Sequence, residues 1–355
     1  MESRVDLDEI ARRRGAPLRI LITRLRYLGD VILTIPAITA AKKRYPAAEI
    51  YYLAEEPHVR ILEAHPDLAG IIPLRRGARP TIGAVRSMRR LRFAAAVDLL
   101  YNPRSAILLS LAGIPIRVGG GRRGRRRLYT HTFAPSVGTP SAIAHHLAAL
   151  SVIDVPSVES LPRVYLEPDE EREGREAVER AVGARGPGDP HRVVALHPGG
   201  TWPAKRWPED SFARLADMIA RRLDARVVVI AGPGEEGIAQ AVVRGAAGGA
   251  SVLSPRPIRE AAAAMKACSA VVANDGGILH LSVALGIPTV GVFGPTEPEI
   301  WFPYAGRGPF ALATLRAECA PCHEHECEVL RCLRRLAPEA VFDRLETVLA
   351  GRSAT

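Results

Sequence analysis

The sequence contains no uninterrupted stretch of about 18 or more apolar residues, and this absence argues against a membrane-spanning helix. Its first six residues, Met1 to Asp6, carry acidic side chains and lack the apolar core of a secretory signal. We therefore expect a cytoplasmic protein.

The glycine pattern of a dinucleotide-binding turn is missing after the first expected strand. An oxidoreductase that uses NAD would carry G-x-G-x-x-G at that point. The chain instead has Arg26-Tyr27-Leu28-Gly29-Asp30. Because this segment lacks the motif, the sequence excludes the usual NAD-binding turn in the first half of the chain.

Acidic residues are nearly absent from one segment, residues 71–130, which holds fourteen arginines, no lysine and the single acid Asp98. The net charge of +10 is therefore concentrated there, and the remainder of the chain is slightly acidic. Such a field attracts phosphates on nucleic acid, anionic lipid or a phosphorylated glycan, although a solvated arginine-rich face is an equal alternative. Only Phe93, Tyr101 and Tyr129 interleave with the arginines, which disfavours nucleic acid.

The order of apolar segments predicts two domains of the α/β class. At 355 residues the chain is longer than one hydrophobic core usually serves. Apolar runs and helical periodicity predict a strand–helix–strand unit over Arg19–Leu25, Asp30–Tyr45 and Glu49–Leu53, with further strands at 71–74, 95–99 and 117–118. A segment at Pro168–Pro190 ends in Gly and Pro and is typical of a linker.

The same alternation then restarts, so we predict two doubly wound domains, residues 1–180 and 181–355. The strands expected in the second half lie at 192–196, 226–231, 252–253, 270–273 and 289–293, and the helices at 208–223, 235–245, 258–266 and 277–285. A last helix, at about 338–350, is a candidate to pack back on the first domain. Ligands of such sheets bind at the carboxyl ends of the strands.

Asp30 follows the first expected strand and begins the helix after it. An aspartate at that place commonly caps a helix by accepting hydrogen bonds from unpaired amides. It could equally serve as a general base at the carboxyl end of the strand. Both roles are compatible, because a capping position fixes the carboxylate.

Four loops of the second half, each after an expected strand, have the character of a phosphate and sugar site, and one of them is Phe293–Pro298. His197–Pro208 contains two glycines, Thr201 and Lys205, and resembles a diphosphate-binding loop, although a basic turn would look the same. Ala231–Glu236 places Glu235 where an acid of a dinucleotide fold accepts the ribose hydroxyls. The third loop contains Asp275, Gly276, Gly277 and His280, whose alternative reading is a helix cap and a core histidine.

Four of the five cysteines, Cys319, Cys322, Cys327 and Cys332, fall within fourteen residues. Four thiolates suit structural zinc or iron. The spacing is shorter than in standard zinc ribbons, so a metal site and a plain thiol cluster both remain open. The fifth, Cys268, lies in an alanine-rich helix and is expected to be buried.

Taken together, these loops resemble the ADP-heptose:lipopolysaccharide heptosyltransferase family, glycosyltransferase family 9. The resemblance covers about residues 19–349 and is carried by the stretches Ile20–Pro36 with Leu28-Gly29-Asp30-Val31, His197–Pro208, Asn274–Pro295, Trp301–Pro303 and the cysteine-rich tail. It implies a GT-B architecture of two Rossmann-like domains facing a central cleft. It also implies an inverting, metal-independent transfer of heptose from ADP-heptose to an inner-core lipopolysaccharide acceptor, without a catalytic cofactor.

The resemblance also implies roles for individual residues. Asp30 would be the general base, and Thr201 and Lys205 would hold the diphosphate. Glu235 would bind the ribose, Asp275 would contact the heptose, and Gly276, Gly277 and His280 would line the sugar–phosphate region. Some relatives that glycosylate proteins bind iron at a cysteine-rich tail.

One departure and one charged segment leave the substrates open. The family usually has Ser or Thr where this chain has Gly276, so a hydroxyl contact to the donor is missing. Arg122, Arg123 and Arg125 occupy the region that would meet a phosphorylated glycolipid acceptor, or an anionic face of the inner membrane. The alternatives are a heptosyltransferase acting on an autotransporter protein and a non-catalytic nucleotide- or nucleic-acid-binding protein.

Overall fold

The chain divides into two compact units, Met1–Tyr165 and Leu166–Thr355, in a computed structural model that describes residues 5–121, 125–133, 141–183, 192–253 and 257–353. This division lies fifteen residues before the boundary expected from the sequence. The difference arises from helix Pro168–Val182, which packs on helix Ile258–Lys266 and therefore belongs with the second unit.

The first unit is a six-stranded sheet with helices between the strands. Its strands are β1 Arg19–Thr23, β2 Glu49–Glu55, β3 Leu68–Leu74, β4 Ala95–Asp98, β5 Ile116–Gly120 and β6 His131–Phe133. Its α-helices are α1 Leu7–Arg13, α2 Leu28–Leu33, α3 Ile35–Arg44, α4 Ala78–Leu91, α5 Pro103–Leu111 and α6 Ala142–Leu150. Short 3-10 helices span His58–Leu62, Arg125–Leu128 and Ser151–Ile153.

The second unit repeats this plan. Its strands are β7 Val193–His197, β8 Arg226–Ile230, β9 Ser251–Leu253, β10 Ala270–Asn274, β11 Thr289–Phe293 and β12 Phe310–Thr314. Its α-helices are α7 Pro168–Val182, α8 Glu209–Arg222, α9 Glu236–Gly245, α10 Ile258–Lys266, α11 Gly277–Ala284, α12 Pro298–Trp301, α13 Arg331–Arg334 and α14 Pro338–Ser353. A 3-10 turn covers Pro203–Lys205.

Both sheets are parallel and share one strand order. The first runs β3-β2-β1-β4-β5-β6 and the second β12-β11-β10-β7-β8-β9, which is the Rossmann order in each unit. Thr23 pairs with Asp98 where β1 meets β4, and His197 pairs with Ala273 where β7 meets β10. The strand order reverses at these two places, so ligand crevices of this fold form beside the carboxyl ends of these strands.

The sequence encodes this arrangement through continuous apolar strands. Every residue of β10 and of β11 is buried, as expected where helices cover both faces of a parallel sheet. In the second unit, α8 and α14 pack together on one face, with Phe212 and Phe342 in the core between them and the sheet. These features confirm the predicted α/β class with two Rossmann-like domains. The expectation that α14 packs back on the first domain stays a prediction.

The helix expected over Asp30–Tyr45 is two helices in the structure. The helix α2 ends before Thr34, whose hydroxyl donates to the carbonyl of Val31 at 2.7 Å, and α3 begins at Ile35 with Pro36 as its second residue. Proline has no amide hydrogen and is tolerated in a first helical turn but not in a helix interior. The break therefore follows from the position of Pro36.

Among the residues that the structure describes, no helix combines the length and the apolar character needed to cross a membrane.

Replacing Gly174 with alanine should destabilise the second unit. A Cβ at Gly174 would lie 2.3 Å from the backbone of Ala263, because α7 and α10 touch there. We expect the overlap to outweigh the helix propensity gained from alanine and to lower the free energy of unfolding by about 1–2 kcal/mol. Urea denaturation followed by circular dichroism measures this change.

The matched control is Gly237→Ala in α9, where no atom lies within 4 Å of the added Cβ. This variant should be as stable as the parent protein or slightly more stable. Equal effects of the two substitutions would contradict the assigned contact between α7 and α10.

Candidate functional site

The loop after β7 is held in place by Asn274, the last residue of β10. Its Oδ1 accepts the backbone amide of Trp207 at 3.2 Å, and its Nδ2 donates to the carbonyls of Pro198 at 2.8 Å and Gly199 at 3.1 Å. Asn274 is almost fully buried, so these bonds replace those that water would make. The result is a fixed path for the chain from Pro198 to Trp207.

Glu235 joins this loop to the loop after β8. Its Oε1 accepts the amide of Gly200 at 2.7 Å, and its Oε2 accepts the amide of Gly232 at 2.8 Å and lies 3.1 Å from His197 Nε2. A Cβ at Gly199 would lie 2.1 Å from this carboxylate, so any larger residue there would displace the Glu235 side chain. Burial acts to raise the pKa of Glu235, but the hydrogen bond and charge of His197 and the two amides outweigh it and lower the pKa to about 2.

Lys205 forms an ion pair with Asp275 at the carboxyl end of β10. The distance from Nζ to Oδ2 is 2.6 Å, and the two side chains are 16% and 4% exposed. Thr296, in the loop after β11, donates its hydroxyl to the same oxygen at 2.6 Å. Three strand-end loops of one sheet therefore converge on the Asp275 carboxylate.

The half-exposed glycines Gly276 and Gly277 open α11 directly beside this ion pair. The amides of a first helical turn have no partner within the helix and favour negative charge. His280 lies one turn further on, and its Nδ1 is 3.2 Å from the hydroxyl of Tyr304. His280 is buried and packs edge-on against this tyrosine ring. Thr201, by contrast, lies exposed at the tip of the loop after β7.

In the first unit, Asp30 lies in the first turn of α2 rather than at its cap. The helix begins at Leu28, and Asp30 Oδ2 accepts the amide of Tyr27 at 2.9 Å, which satisfies a backbone donor at the helix start. Its Oδ1 accepts a bond from Arg24 Nη2 at 2.6 Å, with both side chains less than one fifth exposed. Arg24 is itself oriented by the carbonyl of Leu99, at 2.7 Å.

Asp98, the single acid of the basic segment, is fully buried at the end of β4. Its carboxylate accepts the amides of Leu100 and Tyr101 and the hydroxyl of Tyr129, the last at 2.6 Å. Burial raises its pKa, against the effect of these bonds and of Ser105. The formal charge on the exposed side chains described between residues 71 and 130 is therefore positive throughout.

Two of the three arginines expected at the acceptor lie outside the described residues. Arg122 and Arg123 lie outside the described residues, and Arg125 is described only as the backbone that begins the 3-10 helix Arg125–Leu128. Their assignment stays a prediction.

The predicted four-cysteine metal site is not supported by the structure. All five cysteines are free, and among the residues described no three His, Cys, Asp or Glu side chains are grouped to hold a metal ion. Cys332 is buried in the core of the second unit, beside Gly294, while Cys319 and Cys327 are exposed. One of these thiols packs into the core and two face solvent. We therefore assign no role to a metal ion in the proposed function. Cys268 is buried, as expected.

The structure thus joins Lys205, Asp275 and the glycines that open α11 in one place. Glu235 and Thr201 occupy adjoining parts of the loop system, and Asp30 belongs to the other unit. Asn274 and Thr296 lie in the loops expected from the sequence, but the sequence analysis gave them no role. Asn274 is the last residue of β10 and Thr296 lies three residues after β11, so the carboxyl end of a buried strand was the available signal.

Comparison with known proteins identifies the family of this arrangement. The model of "Glycosyltransferase family 9 (heptosyltransferase)" matches residues 83–332. The chain is 28% identical over 364 aligned positions to lipopolysaccharide heptosyltransferase 1 of Pseudomonas aeruginosa, covering 94% of this chain and 98% of that one.

Two solved structures have the same fold. A family 9 glycosyltransferase from Veillonella parvula superposes with a TM-score of 0.81 at 24% identity, covering 94% of this chain and 97% of its own. The ADP-heptose LPS heptosyltransferase II of E. coli gives 0.78 at 21% identity, covering 95% and 100%. These likenesses confirm the GT-B class of the fold.

Replacing Glu235 with glutamine should lower stability in a pH-dependent way. Folding lowers the pKa of this group from 4.5 to about 2. Its ionised form therefore stabilises the fold fully above pH 4.5, and the contribution disappears as the pH falls towards 2. We expect Glu235→Gln to cost at most about 3 kcal/mol at pH 7. Urea unfolding at pH 7, 4 and 3 should show the deficit of the variant shrinking as the pH falls from 4.5 towards 2.

Glu236→Gln, at the exposed neighbouring position, is the control and should unfold like the parent at each pH. If Glu235→Gln lowers the free energy of unfolding by the same amount at every pH, the ionised Glu235 carboxylate is not the source of the stabilisation.

Proposed function

The chain belongs to glycosyltransferase family 9, and on that premise we propose that it transfers heptose from ADP-heptose to an inner-core lipopolysaccharide acceptor. The chain is thus a glycosyltransferase. The single observation that carries the proposed donor site is the ion pair between Lys205 and Asp275, set beside the half-exposed glycines that open α11. The names of the relatives in Pseudomonas aeruginosa and E. coli support the choice of sugar and acceptor.

On the donor side, Lys205 would bind the diphosphate. An ammonium group has three N–H donors, and Asp275 uses one of them. The remaining two, with the exposed hydroxyl of Thr201 and the amides of Gly276 and Gly277, offer a cationic cradle for two phosphates. The same charge would stabilise the ADP that leaves.

Asp275 would contact the heptose. The bonds from Lys205 and Thr296 both fall on its Oδ2, so within the described residues its Oδ1 is the oxygen suited to accept a sugar hydroxyl. Because Asp275 is buried and fixed by two partners, its orientation costs little on binding.

Glu235 and His280 would contribute at the edges of the donor. Glu235 Oε1 accepts one amide, and a carboxylate oxygen has room for a second bond, which a ribose hydroxyl could supply. His280 would line the sugar–phosphate region from the first turns of α11, held in one orientation by Tyr304.

On the acceptor side, Asp30 would act as the general base. It would take the proton of the acceptor hydroxyl as that oxygen bonds to the anomeric carbon and the bond from this carbon to the diphosphate breaks. Attack opposite the leaving group inverts the anomeric centre, and ADP carries away the electron pair. Arg24 and the Tyr27 amide would keep the carboxylate oriented. This route requires no metal ion and no catalytic cofactor.

The positive surface of residues 71–130 would meet a phosphorylated glycolipid at the inner face of the membrane. The acid in this segment is buried, so acidic side chains do not offset the exposed arginines of α4. Arginine binds phosphate through paired donors, and a basic face is attracted to anionic lipid. Arg122, Arg123 and Arg125 would extend this surface.

Replacing Asp30 with asparagine should abolish transfer while donor binding persists. Asparagine keeps an oxygen for the Tyr27 amide but cannot take a proton, so we expect kcat to fall at least about a hundredfold. Affinity for ADP-heptose, measured by calorimetry, should stay within about twofold, since the donor site belongs to the second unit. The control is Asp8→Asn, at an exposed position of α1, with normal turnover expected. Retention of a tenth of the activity by Asp30→Asn would refute the assignment of the base.

Calorimetry with three nucleotide sugars tests the donor. ADP-heptose should bind at least about tenfold more tightly than a UDP- or GDP-sugar, a difference of about 1.4 kcal/mol. Lys205→Ala should weaken ADP-heptose binding by about ten- to a hundredfold, because a charged hydrogen bond to phosphate is lost. Equal binding of the three donors, or none for ADP-heptose, would overturn the proposed substrate.

A further inference from the structure

The loop between β12 and α13, residues 315–330, lies directly against the candidate donor site. We call it the cysteine-rich loop. The amides of Cys322 and His323 donate to the carbonyl of Pro295 at 3.0 and 3.2 Å, and the carbonyl of His325 accepts the amide of Ala204 at 3.0 Å. The cysteine-rich loop therefore contacts both the loop after β11 and the loop after β7 that carries Lys205.

An aromatic stack joins the side chains of these two loops. The imidazole of His325 lies nearly parallel to the indole of Trp202, with ring centroids 3.9 Å apart and an interplanar angle of 24°. Lys205 Nζ lies 4.4 Å from the centroid of the same indole. Trp202 thus contacts both His325 and Lys205 through its indole.

Lys205 is consequently held by two kinds of contact. Asp275 attracts its ammonium by charge, and Trp202 attracts it through the negative face of the indole. A lysine side chain has four rotatable bonds and loses much rotamer freedom when it is fixed. Contact with a fixed indole restricts the lysine side chain before a ligand binds, so less conformational entropy is lost on binding. The indole is held in turn by its stack on the imidazole of His325.

We propose that His325 is a positioning residue for donor binding, which acts through Trp202 to hold Lys205 in the direction of the diphosphate. The proposal rests on the proposed role of Lys205. Through it, the cysteine-rich loop becomes a part of the donor site.

The substitution His325→Ala isolates the ring. The bond from Ala204 goes to the backbone carbonyl of His325, which every variant retains, so the path of the loop is preserved. His325→Phe restores a flat ring that can stack on Trp202. Glu324→Ala alters an exposed neighbour in the same loop and serves as the control.

The first measurement does not depend on the reaction. The chain has four lysines, Lys42, Lys43, Lys205 and Lys266, and limited acetylation followed by peptide mass spectrometry reports the rate at each. In His325→Ala we expect Lys205 to react about fivefold faster, with the other three unchanged, because a stacking contact of ordinary strength is lost. His325→Phe and Glu324→Ala should match the parent protein. An unchanged rate at Lys205 in His325→Ala would overturn the proposal.

The second measurement separates positioning from chemistry. His325→Ala should raise KM for ADP-heptose about fivefold with kcat within about twofold, and His325→Phe should restore KM. Faster acetylation of Lys205 in His325→Ala with an unchanged KM for ADP-heptose would refute the role in donor binding. Failure of His325→Phe to restore KM would refute it as well. If the parent protein neither binds nor uses ADP-heptose, the proposed function fails, while the acetylation rates still decide whether His325 positions Lys205.

Discussion

The candidate site of the second unit depends on hydrogen bonds that fix the glycine-containing loop after β7. Loops at the carboxyl ends of parallel strands leave the sheet without regular partners for their amides and carbonyls, and buried groups of this kind are costly if unpaired. Two side chains supply those partners: Asn274 accepts and donates to the loop after β7, and Glu235 accepts the amide of Gly200. The position of Lys205 follows from theirs, because the loop carries it to Asp275.

The first unit uses the same solution at its own switch point. Asp30 accepts a backbone amide at the start of α2 and an arginine from the end of β1. A carboxylate that completes the backbone of a loop is also one whose direction is fixed. In both units, therefore, the carboxylates that accept hydrogen bonds from loop amides are also those to which the proposed chemistry is assigned. A structural role and a catalytic role are compatible for the same residue.

Much of the fold could be predicted because buried parallel strands form continuous apolar runs. Thr289–Phe293 and Ile258–Lys266 have the bounds expected from periodicity. The edge strands β6 and β12 were missed, since they are short or only partly buried and lack that signature. The domain boundary differed because α7 meets α10 through Gly174, a contact between helices about 90 residues apart that no local pattern encodes.

The candidate site was predictable in outline for the same reason. Strand-end loops with glycine, lysine and acid residues are visible in a sequence, whereas partners from distant segments are not. The stack of Trp202 on His325 and the bond from Trp207 to Asn274 join residues far apart in the chain. The cysteines show the converse: their close spacing suggested a metal site or a thiol cluster, but Cys332 is buried in the hydrophobic core, Cys322 is half-buried, and Cys319 and Cys327 are exposed.

The bond between Ala204 and His325 has a consequence for how the protein is made. A ribosome releases the chain from its N-terminus, and the loop that carries Lys205 emerges about 120 residues before the segment that completes its surroundings. Trp207 likewise donates its indole N–H to the carbonyl of Leu336. During synthesis the first unit can close as soon as its strands have emerged, but the candidate site of the second unit is completed only when residues 325 to 336 have emerged. A chain cut short within residues 315–330 would therefore lack Leu336 and the helix α14, and with them part of the core around Trp207.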